Sequence, residues 1–190
     1  MKQKHVWVKL VSAALLLWSA ATWADSYSDA VSLFQHAGQS ATFFNNCYGY
    51  AIFPTIGAGG VAVGGAYGRG RVYSHGAYLG DTSMTQLSVG AQLGGQAYSQ
   101  VIFFQDKRAF EEFTKGNFEF GADATAVAIT AAAGGSVGTS GASADASGGM
   151  KDARTAGRYY KGLAVFTIVK GGAMYQAVVN GQKFTYTPKA

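Results

Sequence analysis

Two groups of basic residues have the types and spacing that could bind an anion. The first is Arg69 and Arg71, which flank Gly70 and lie close to Tyr67 and Tyr73 in the sequence. An Arg-Gly-Arg segment beside aromatic rings can hold phosphate groups or nucleic acid, because guanidinium groups bind phosphate oxygens and rings stack on bases. The alternative is that both arginines lie on the solvated side of a strand.

The second group lies nearer the C terminus and consists of Lys151, Arg154, Arg158 and Lys161. Their spacing of three, four and three residues would place them on one stripe of a helix. Gly157 weakens such a helix, and in an extended chain Arg154 and Arg158 would share a face on which Lys151 and Lys161 do not lie. Whether the four residues form a single basic surface therefore depends on the local structure.

The chain offers few residues for catalysis or metal binding. After the first 24 residues the only histidines are His36 and His75, and Cys47 is the one cysteine. A nucleophile needs an adjacent base and an orienting group, and a structural metal site needs about four ligands. We therefore predict a protein that is not an enzyme and has no metal or cofactor, with Cys47 as a small buried hydrophobe rather than a reactive thiol.

The N-terminal segment has the pattern of a secretory signal. Lys2, Lys4 and Lys9 precede an apolar run over residues 10–21, and small residues follow up to Ala24. This order of basic, apolar and small residues is typical of a cleaved signal peptide, and the run is shorter than the roughly 20 residues of a transmembrane helix. We expect cleavage after Ala24, so that residues 25–190 form a single domain in the periplasm or outside the cell.

Composition and charge narrow the class of protein. Charged residues make up only 13% of the chain and hydrophobic residues 48%, which excludes a disordered protein because such a chain can bury a core. Loss of residues 1–24 would lower the formal charge from +5 to about +2, yet seven basic residues face two acidic ones from Asp145 onward. An exported protein rarely meets nucleic acid. We therefore expect the basic groups to hold the domain peripherally on anionic membrane lipid.

Periodicity predicts an α+β fold that is mainly antiparallel β, with a curled sheet or partly closed barrel, an N-terminal helix and a second short helix. Residues 26–41 have apolar side chains at spacings of three and four and predict the first helix, with Gly38 as its weak point. Residues 50–54 predict a short strand that ends at Pro54. Asp106 is a good N-cap for the second helix, over residues 107–115.

Two features of the predicted strands bear on the shape of the sheet. Residues 60–70 carry Gly or Ala at every second position, which indicates a close approach of another backbone or a sharp curl. Residues 82–104 alternate, with Leu87 and Val101 on the apolar side and Gln100 on the polar side. We predict a half-buried antiparallel strand pair there, or one long strand broken at Gly94-Gly95.

The C-terminal third contains weaker signals. We predict weak strand character over residues 123–133, a flexible Ser/Gly/Ala loop over 134–149, a strand over 162–170 turned by Gly171-Gly172, and a strand over 173–179. Asn180-Gly181 is the preferred two-residue turn of a hairpin and is the strongest local signal here. No internal repeat of fixed period is present.

The order of four segments resembles the SYLF domain family, which is also known from Ysc84-like actin regulators. The segments are Ala51-Ile52-Phe53-Pro54, the run from Gly59 to Gly68, residues 90–95 followed by Val101-Ile102, and Tyr160-Lys161-Gly162-Leu163-Ala164. The SYLF domain is a lipid-binding module whose eukaryotic members bind phosphoinositides and, in yeast, actin. The resemblance spans residues 26–186 and implies lipid association rather than catalysis.

One departure from the family limits what the resemblance implies. Eukaryotic relatives use a basic amphipathic N-terminal segment on the bilayer, whereas residues 26–41 here contain Asp29 and no Lys or Arg. We therefore do not expect this helix to dock on a membrane. We also expect actin to be a partner only of the eukaryotic relatives, because an exported bacterial protein would not meet it.

Two other classes of protein remain as alternatives. The first is a small eight-stranded outer-membrane β-barrel, which a signal peptide, 166 remaining residues and alternating strands would suit. Against it stand the two predicted helices and a final segment, residues 186–190, without the terminal aromatic residue that such barrels commonly carry. The second is a structural or stress-related interaction protein, for which no residue is diagnostic.

Overall fold

The protein folds into a single sheet flanked by helices. The structure is a computed structural model that describes residues 26–38, 40–61, 63–89, 94–121, 128–132, 159–172 and 181–190. The helices in these ranges are α1 (26–35), α2 (Ser40–Asn46) and α3 (Lys107–Thr114). The strands are β1 (Gly49–Val61), β2 (Val63–Ser74), β3 (Ala77–Val89), β4 (Gly94–Phe104), β5 (Phe118–Glu119), β6 (Ala128–Ala132), β7 (Leu163–Gly172) and β8 (Gln182–Pro188).

The eight strands form one sheet in the order β5-β8-β3-β2-β1-β4-β7-β6. Every neighbouring pair is antiparallel except β6 and β7, which are parallel. The prediction of an α+β fold with a mainly antiparallel sheet is confirmed. The predicted strand pair over residues 82–104 is wrong, because β3 and β4 are separated in the sheet by the β1–β2 hairpin.

Both faces of the central strands are covered. On one face, Ile52, Val101 and Phe103 pack against Phe34 of α1, and Phe43 of α2 lies 5.5 Å from Phe103 between ring centroids. The other face is covered by α3 together with inward-facing residues of β3 and β8. β4 is therefore buried on both sides, and the prediction of a half-buried strand there is wrong.

Contacts between distant strands show that the sheet is curled. Four strand spacings, about 19 Å in a flat sheet, separate β4 from β8. Even so, the side chain of Gln100 on β4 donates a hydrogen bond of 2.9 Å to that of Gln182 on β8. The rings of Phe53 and Phe184, three strands apart, have centroids at 5.7 Å. The concave interior is thus enclosed by the sheet itself.

The small residues of β2 make this curl possible. A Cβ placed on Gly70 would lie 2.7 Å from two ring carbons of Phe53, and one on Gly68 would lie 2.5 Å from a side-chain carbon of Ile56. Neither distance leaves room for a methyl group. The sharp curl predicted from the Gly and Ala positions of residues 60–70 is therefore confirmed, and its reason is that rings and chains from β1 fold over this strand.

The polar parity of β4 faces the interior rather than solvent. Gln100 is fully buried, whereas Leu87, on the apolar parity, is 84% exposed. Two buried glutamines are tolerated because their amides bond to each other and Gln182 also donates to the Tyr98 hydroxyl, at 3.3 Å. The apolar parity of β4 is buried as well, at Val101 and Phe103, so alternation failed to show that both of its faces are covered. On β3 it wrongly placed Leu87 in the interior.

The N-terminal helix is shorter than predicted. α1 ends at residue 35, Gly38 has a φ of 60°, and the chain begins a second helix at Ser40. The hydroxyl of Ser40 donates to the carbonyl oxygens of Phe34 and Ala37, at 2.6 and 2.7 Å, so it closes the end of α1. Gly38 is the break because glycine adopts a positive φ without steric strain.

Pro54 lies inside a strand, and the prediction that it ends one is wrong. β1 continues to Val61, and its pairing with both β2 and β4 is irregular around Pro54. A proline has no N–H to donate, and such an irregularity removes the need for one. The carbonyl of Pro54 accepts a hydrogen bond of 2.7 Å from the hydroxyl of Ser99, which holds the bulge against β4.

The second helix is confirmed. α3 spans Lys107–Thr114, and its N-cap Asp106 accepts a hydrogen bond of 2.8 Å from the backbone N–H of Ala109. β6 and β7 confirm strands in their regions, although β7 extends through the Gly171-Gly172 pair that was predicted to turn. The predicted loop over 134–149 and strand over 173–179 lie outside the described residues, as does Asn180 of the predicted turn.

Candidate functional site

Strand β2 carries Arg69 and Arg71 on the face of the sheet that α1 partly covers. Tyr67, Arg69 and Arg71 alternate with the inward-facing small residues, so their side chains share this outer face. A tight turn at His75 and Gly76 leads into β3, which brings Asp81 directly opposite Arg71. The strand therefore presents two cations about 7 Å apart along its length.

Arg71 is held by aromatic rings. Its guanidinium carbon lies 4.3 Å from the ring centroid of Tyr27 on α1 and 5.1 Å from that of Tyr78 on β3. The Oδ1 atom of Asp81 is 3.8 Å from its Nε atom, which is beyond hydrogen-bond distance. Nε is shielded from solvent and donates no hydrogen bond within the described residues. The Arg71 side chain as a whole is 31% exposed, so a ligand can reach the guanidinium group at atoms other than Nε.

Arg69 has a different environment. It is an exposed residue whose Nε donates a hydrogen bond of 3.2 Å to the hydroxyl of Tyr67. This bond orients the guanidinium beside the Tyr67 ring, which is itself 51% exposed. Arg69 is thus a solvated cation that a ligand can reach without moving any other side chain.

An open cleft lies beside these residues, and we call it the arginine cleft. It consists of two adjoining hollows of about 660 and 350 Å³, both lined by Tyr27, Tyr67 and Arg69. Thr55 lines the first hollow and Arg71 the second. A space of this size with aromatic walls and charged groups is suited to a small ligand or the headgroup of a larger one.

A third cation lies at the edge of the arginine cleft. Lys170 on β7 donates a hydrogen bond of 3.1 Å from Nζ to the hydroxyl of Thr55. Partial burial lowers the pKa of the Lys170 ammonium, and the negative charge of Asp29 on α1 opposes this shift. The lysine therefore adds positive charge to the side of the cleft opposite the arginines.

Two carboxylates partly neutralise the positive charge of the arginine cleft. Asp81 lies next to Arg71 and accepts a hydrogen bond of 2.8 Å from the hydroxyl of Tyr78. Desolvation and this bond raise the pKa of Tyr78 to about 12, so the phenol stays neutral at physiological pH. Asp29 acts on Lys170. With three cations and two carboxylates, the site is weakly positive and can bind an anion through directed hydrogen bonds more than through net charge.

The six predicted binding residues do not all lie together. Arg69 and Arg71 line the arginine cleft, whereas Lys161 is in the turn before β7. The pairing of β7 with β4 places that turn at the end of the sheet where β2 finishes, but three strand spacings away from β2, on the order of 20 Å from Arg71. Lys161 lies over the Tyr160 ring, at 5.2 Å. Lys151, Arg154 and Arg158 lie outside the described residues, so a single surface of all six stays a prediction.

Other reactive side chains have local partners. The Nδ1 atom of His36 is 2.7 Å from the carbonyl oxygen of Ser32, and His75 lies in the turn with its Nδ1 2.9 Å from the Ser74 hydroxyl. That hydroxyl donates to the carbonyl of Tyr48, at 2.8 Å. Within the described ranges no three His, Cys, Asp or Glu residues are grouped as metal ligands would be. No helix in the same ranges is long and apolar enough to cross a bilayer.

Sequence reasoning missed Tyr27, Tyr78, Asp81 and Lys170 as parts of the cleft. The signal for Asp81 was available, because a turn at His75-Gly76 pairs the following residues with Arg71 and its neighbours. Tyr27 falls within the predicted first helix, and helical periodicity does not show that its side chain reaches a strand. Lys170 comes from a strand far along the chain and had no local signal, since its position depends on how β7 and β1 are arranged around β4.

Comparison with known proteins gives two similarities. A sequence model of the Ysc84 family, described as Las17-binding protein actin regulator, matches residues 85–187, which is just over half of the chain. Beta cell expansion factor A from Aeromonas veronii is 26% identical over 165 residues, covering 81% of this chain and 51% of that protein. The chain therefore spans about half the length of this relative. Arg69 and Arg71 lie before the region that the family model matches.

Proposed function

Because the chain belongs to the Ysc84 family, the family of the SYLF domain, we propose that it is an exported, non-catalytic domain that binds anionic phospholipid at a membrane surface. The expected signal peptide supports export to the periplasm or beyond. Because an exported protein would not meet actin, we do not extend the actin regulation named for the family to this chain. Lipid is then the remaining ligand that both the family and the basic side chains favour.

The observation that carries this proposal is the arginine cleft. Arg69 is exposed and the side chain of Arg71 beside it is 31% exposed, so both guanidinium groups can donate hydrogen bonds to a ligand. A phosphodiester offers anionic oxygens that accept such bonds and are well matched to guanidinium groups. The walls formed by Tyr27 and Tyr67 suit the mixed polar and apolar character of a lipid headgroup region.

The charges predict weak, salt-sensitive binding. Each cation close to an anionic membrane surface contributes about 1 kcal/mol, and Asp81 and Asp29 offset part of this. Screening shortens the range of these interactions to about 8 Å at physiological ionic strength. The protein should therefore associate reversibly and peripherally, and should leave the membrane when salt is raised.

The test is co-sedimentation with vesicles of phosphatidylcholine containing phosphatidylglycerol, using the chain from Asp25 onward. All described elements lie within residues 26–190, so this chain contains the whole described fold. We expect Arg69→Gln to weaken partitioning about fivefold, because it removes one accessible cation worth about 1 kcal/mol. Arg69 makes no buried contact, so the variant should unfold at the same urea concentration as the unchanged protein.

Lys115→Gln is the matched control. It removes the same charge from an exposed residue at the end of α3, and partitioning should change far less than in Arg69→Gln. Equal losses in both variants would show that only net charge matters and that the cleft is not the site. No binding to anionic vesicles at low salt would reject lipid binding altogether.

A further inference from the structure

Two large apolar side chains are exposed side by side at one end of the sheet, and we call them the apolar tip. Leu87 on β3 is 84% exposed and Val63 on β2 is 61% exposed. Leu87 lies opposite Gly65, and Val63 is two residues before Gly65, at the start of β2, so both project from the same outer face. Gly65 has no side chain to cover Leu87. Isolated exposed leucines are common, but an exposed neighbouring pair at an element's end is less so.

The apolar tip is continuous with the arginine cleft. Along the outer face of β2 the order is Val63, Tyr67, Arg69 and Arg71. A strand rises about 3.4 Å per residue. Measured along β2 from Gly65, which is opposite Leu87, Tyr67 is therefore roughly 7 Å away and Arg69 roughly 14 Å away. The Tyr67 hydroxyl bonds to Arg69. Over about 20 Å of this face, the side chains therefore change from apolar to aromatic to cationic.

This gradient matches the cross-section of a bilayer leaflet. Apolar side chains partition into hydrocarbon, tyrosine prefers the polar interface, and the interface of each leaflet is about 5–8 Å deep. An arginine somewhat farther out can extend its flexible side chain to the phosphate level while its charged end remains hydrated. With the apolar tip just below the hydrocarbon boundary, Tyr67 would lie near the headgroups and Arg69 beside the phosphates.

A second protein is a weaker candidate for this surface. Stable protein interfaces bury about 1,200–2,000 Å² in total, and the two side chains of the tip provide only a small part of that area. The adjacent solvated Arg69 would also need a matching acidic partner. An anionic bilayer supplies both the apolar phase and the negative charge.

We propose that the apolar tip inserts shallowly into the hydrocarbon of an anionic membrane while Arg69 binds the headgroup phosphates above it. This inference rests on the lipid binding proposed above and specifies its geometry. In this orientation the start of β2 and the end of β3 would face the membrane. The docking element is then a pair of strand ends rather than the N-terminal helix.

The test uses a single tryptophan as a reporter. Residues 25–190 contain no Trp, so Leu87→Trp in the chain from Asp25 introduces the only one. On vesicles of phosphatidylcholine and phosphatidylglycerol, its emission should shift to shorter wavelength and be quenched by lipids brominated on their acyl chains. Gln105→Trp is the matched control, because Gln105 is exposed and follows β4 at the opposite end of the sheet. Its emission should not change.

Three results separate the possible outcomes. In the first, the Leu87→Trp protein sediments with vesicles while its emission is neither shifted nor quenched. That result would overturn the insertion geometry and leave lipid binding intact. A shift that is already present without vesicles would show that the tip is covered by protein, and would also overturn it. Loss of sedimentation for the unchanged protein would instead reject the proposed function.

A substitution gives an independent check. Val63→Ser with Leu87→Ser removes the apolar tip without touching the core, since both residues are exposed. Partitioning on anionic vesicles should fall on the order of tenfold or more, with the salt dependence retained because Arg69 remains. Unchanged partitioning in this double variant would contradict insertion.

Discussion

Arg69 and Arg71 are separated by one residue and still differ in what they can do. Arg69 is exposed and hydrogen-bonds only to Tyr67 among the described residues, whereas Arg71 lies against the rings of Tyr27 and Tyr78. Cation–π contacts of this kind contribute about 0.5–2 kcal/mol, so Arg71 also ties α1 to the sheet. Substitutions at Arg69 therefore report on binding alone, while those at Arg71 also perturb the fold.

A residue-scale prediction concerns Cys47. Burial raises the pKa of its thiol from the ordinary 9 to about 11, and its Sγ contacts the carbonyl of Phe44 at 3.8 Å. Because the thiolate is the reactive form, alkylation by iodoacetamide at pH 8 should be about a hundredfold slower in the folded protein than after unfolding in guanidinium. The native rate should rise as the pH approaches 11.

Mass spectrometry of the alkylated protein measures both rates, and Cys47→Ala reports any labelling at other side chains. Alkylation of the native protein at the unfolded rate would contradict the prediction that Cys47 is a buried hydrophobe. It would then have to be considered as a reactive thiol.

At the scale of elements, the two faces of β2 meet different structural requirements. Its inner face must be nearly bare so that Phe53 and Ile56 can fold over it, and its outer face carries the binding side chains. Glycine in a strand costs about 0.5–1 kcal/mol in conformational entropy. That cost is offset here because the curl encloses the aromatic interior.

The element-scale prediction compares Gly70→Ala with Gly57→Ala. A Cβ on Gly70 would meet the Phe53 ring at 2.7 Å and the carbonyl of Ile52 at 2.8 Å, whereas a Cβ on Gly57 would meet nothing within 4 Å. We expect Gly70→Ala to lower the free energy of unfolding by about 1–3 kcal/mol through overpacking. Gly57→Ala should be neutral or stabilise the protein by up to about 1 kcal/mol.

Urea unfolding of both variants checks this difference. The two substitutions add the same methyl group to glycines on adjacent strands, so propensity alone would affect them alike. Equal midpoints would show that the close approach at Gly70 does not constrain the curl.

At the scale of the whole molecule, a buried polar contact links the two halves of the sheet. Gln100 on β4 and Gln182 on β8 exchange hydrogen bonds of 2.9 and 3.2 Å across the concave interior. They join parts of the chain 82 residues apart. Such a contact exists only after the sheet has curled, so it reports on the completed fold.

The prediction at this scale is that Gln100→Leu destabilises the protein by about 1–3 kcal/mol, because it leaves the buried amide of Gln182 partly unsatisfied. Gln100→Leu combined with Gln182→Leu should cost less than the sum of the single changes, since both polar groups are then absent. Denaturant midpoints for the two single variants and the double variant measure this coupling. Additive effects would mean that the pair does not act as a unit.

The sequence allowed the kinds of element to be predicted better than their relations. Asp106 correctly predicted the start of α3, and the small residues of β2 correctly predicted the curl of the sheet. The extent of β1 past Pro54 could not be predicted, because the bulge that accommodates the proline depends on its pairing with two other strands. Of the site, Arg69 and Arg71 were identified from residue type and aromatic neighbours, whereas Lys170 and Tyr27 were not, because they reach the cleft from distant elements.

The sequence by itself determined local properties: which residues alternate, where a helix can start, which strand can tolerate a close approach and which side chains carry charge. These follow from backbone geometry and side-chain chemistry within a few residues. Only the tertiary structure decided which face of each strand became the interior, so that Gln100 is buried and Leu87 is exposed. The physical reason is that a period of two marks two faces but not the enclosed one, which long-range packing across the curled sheet selects.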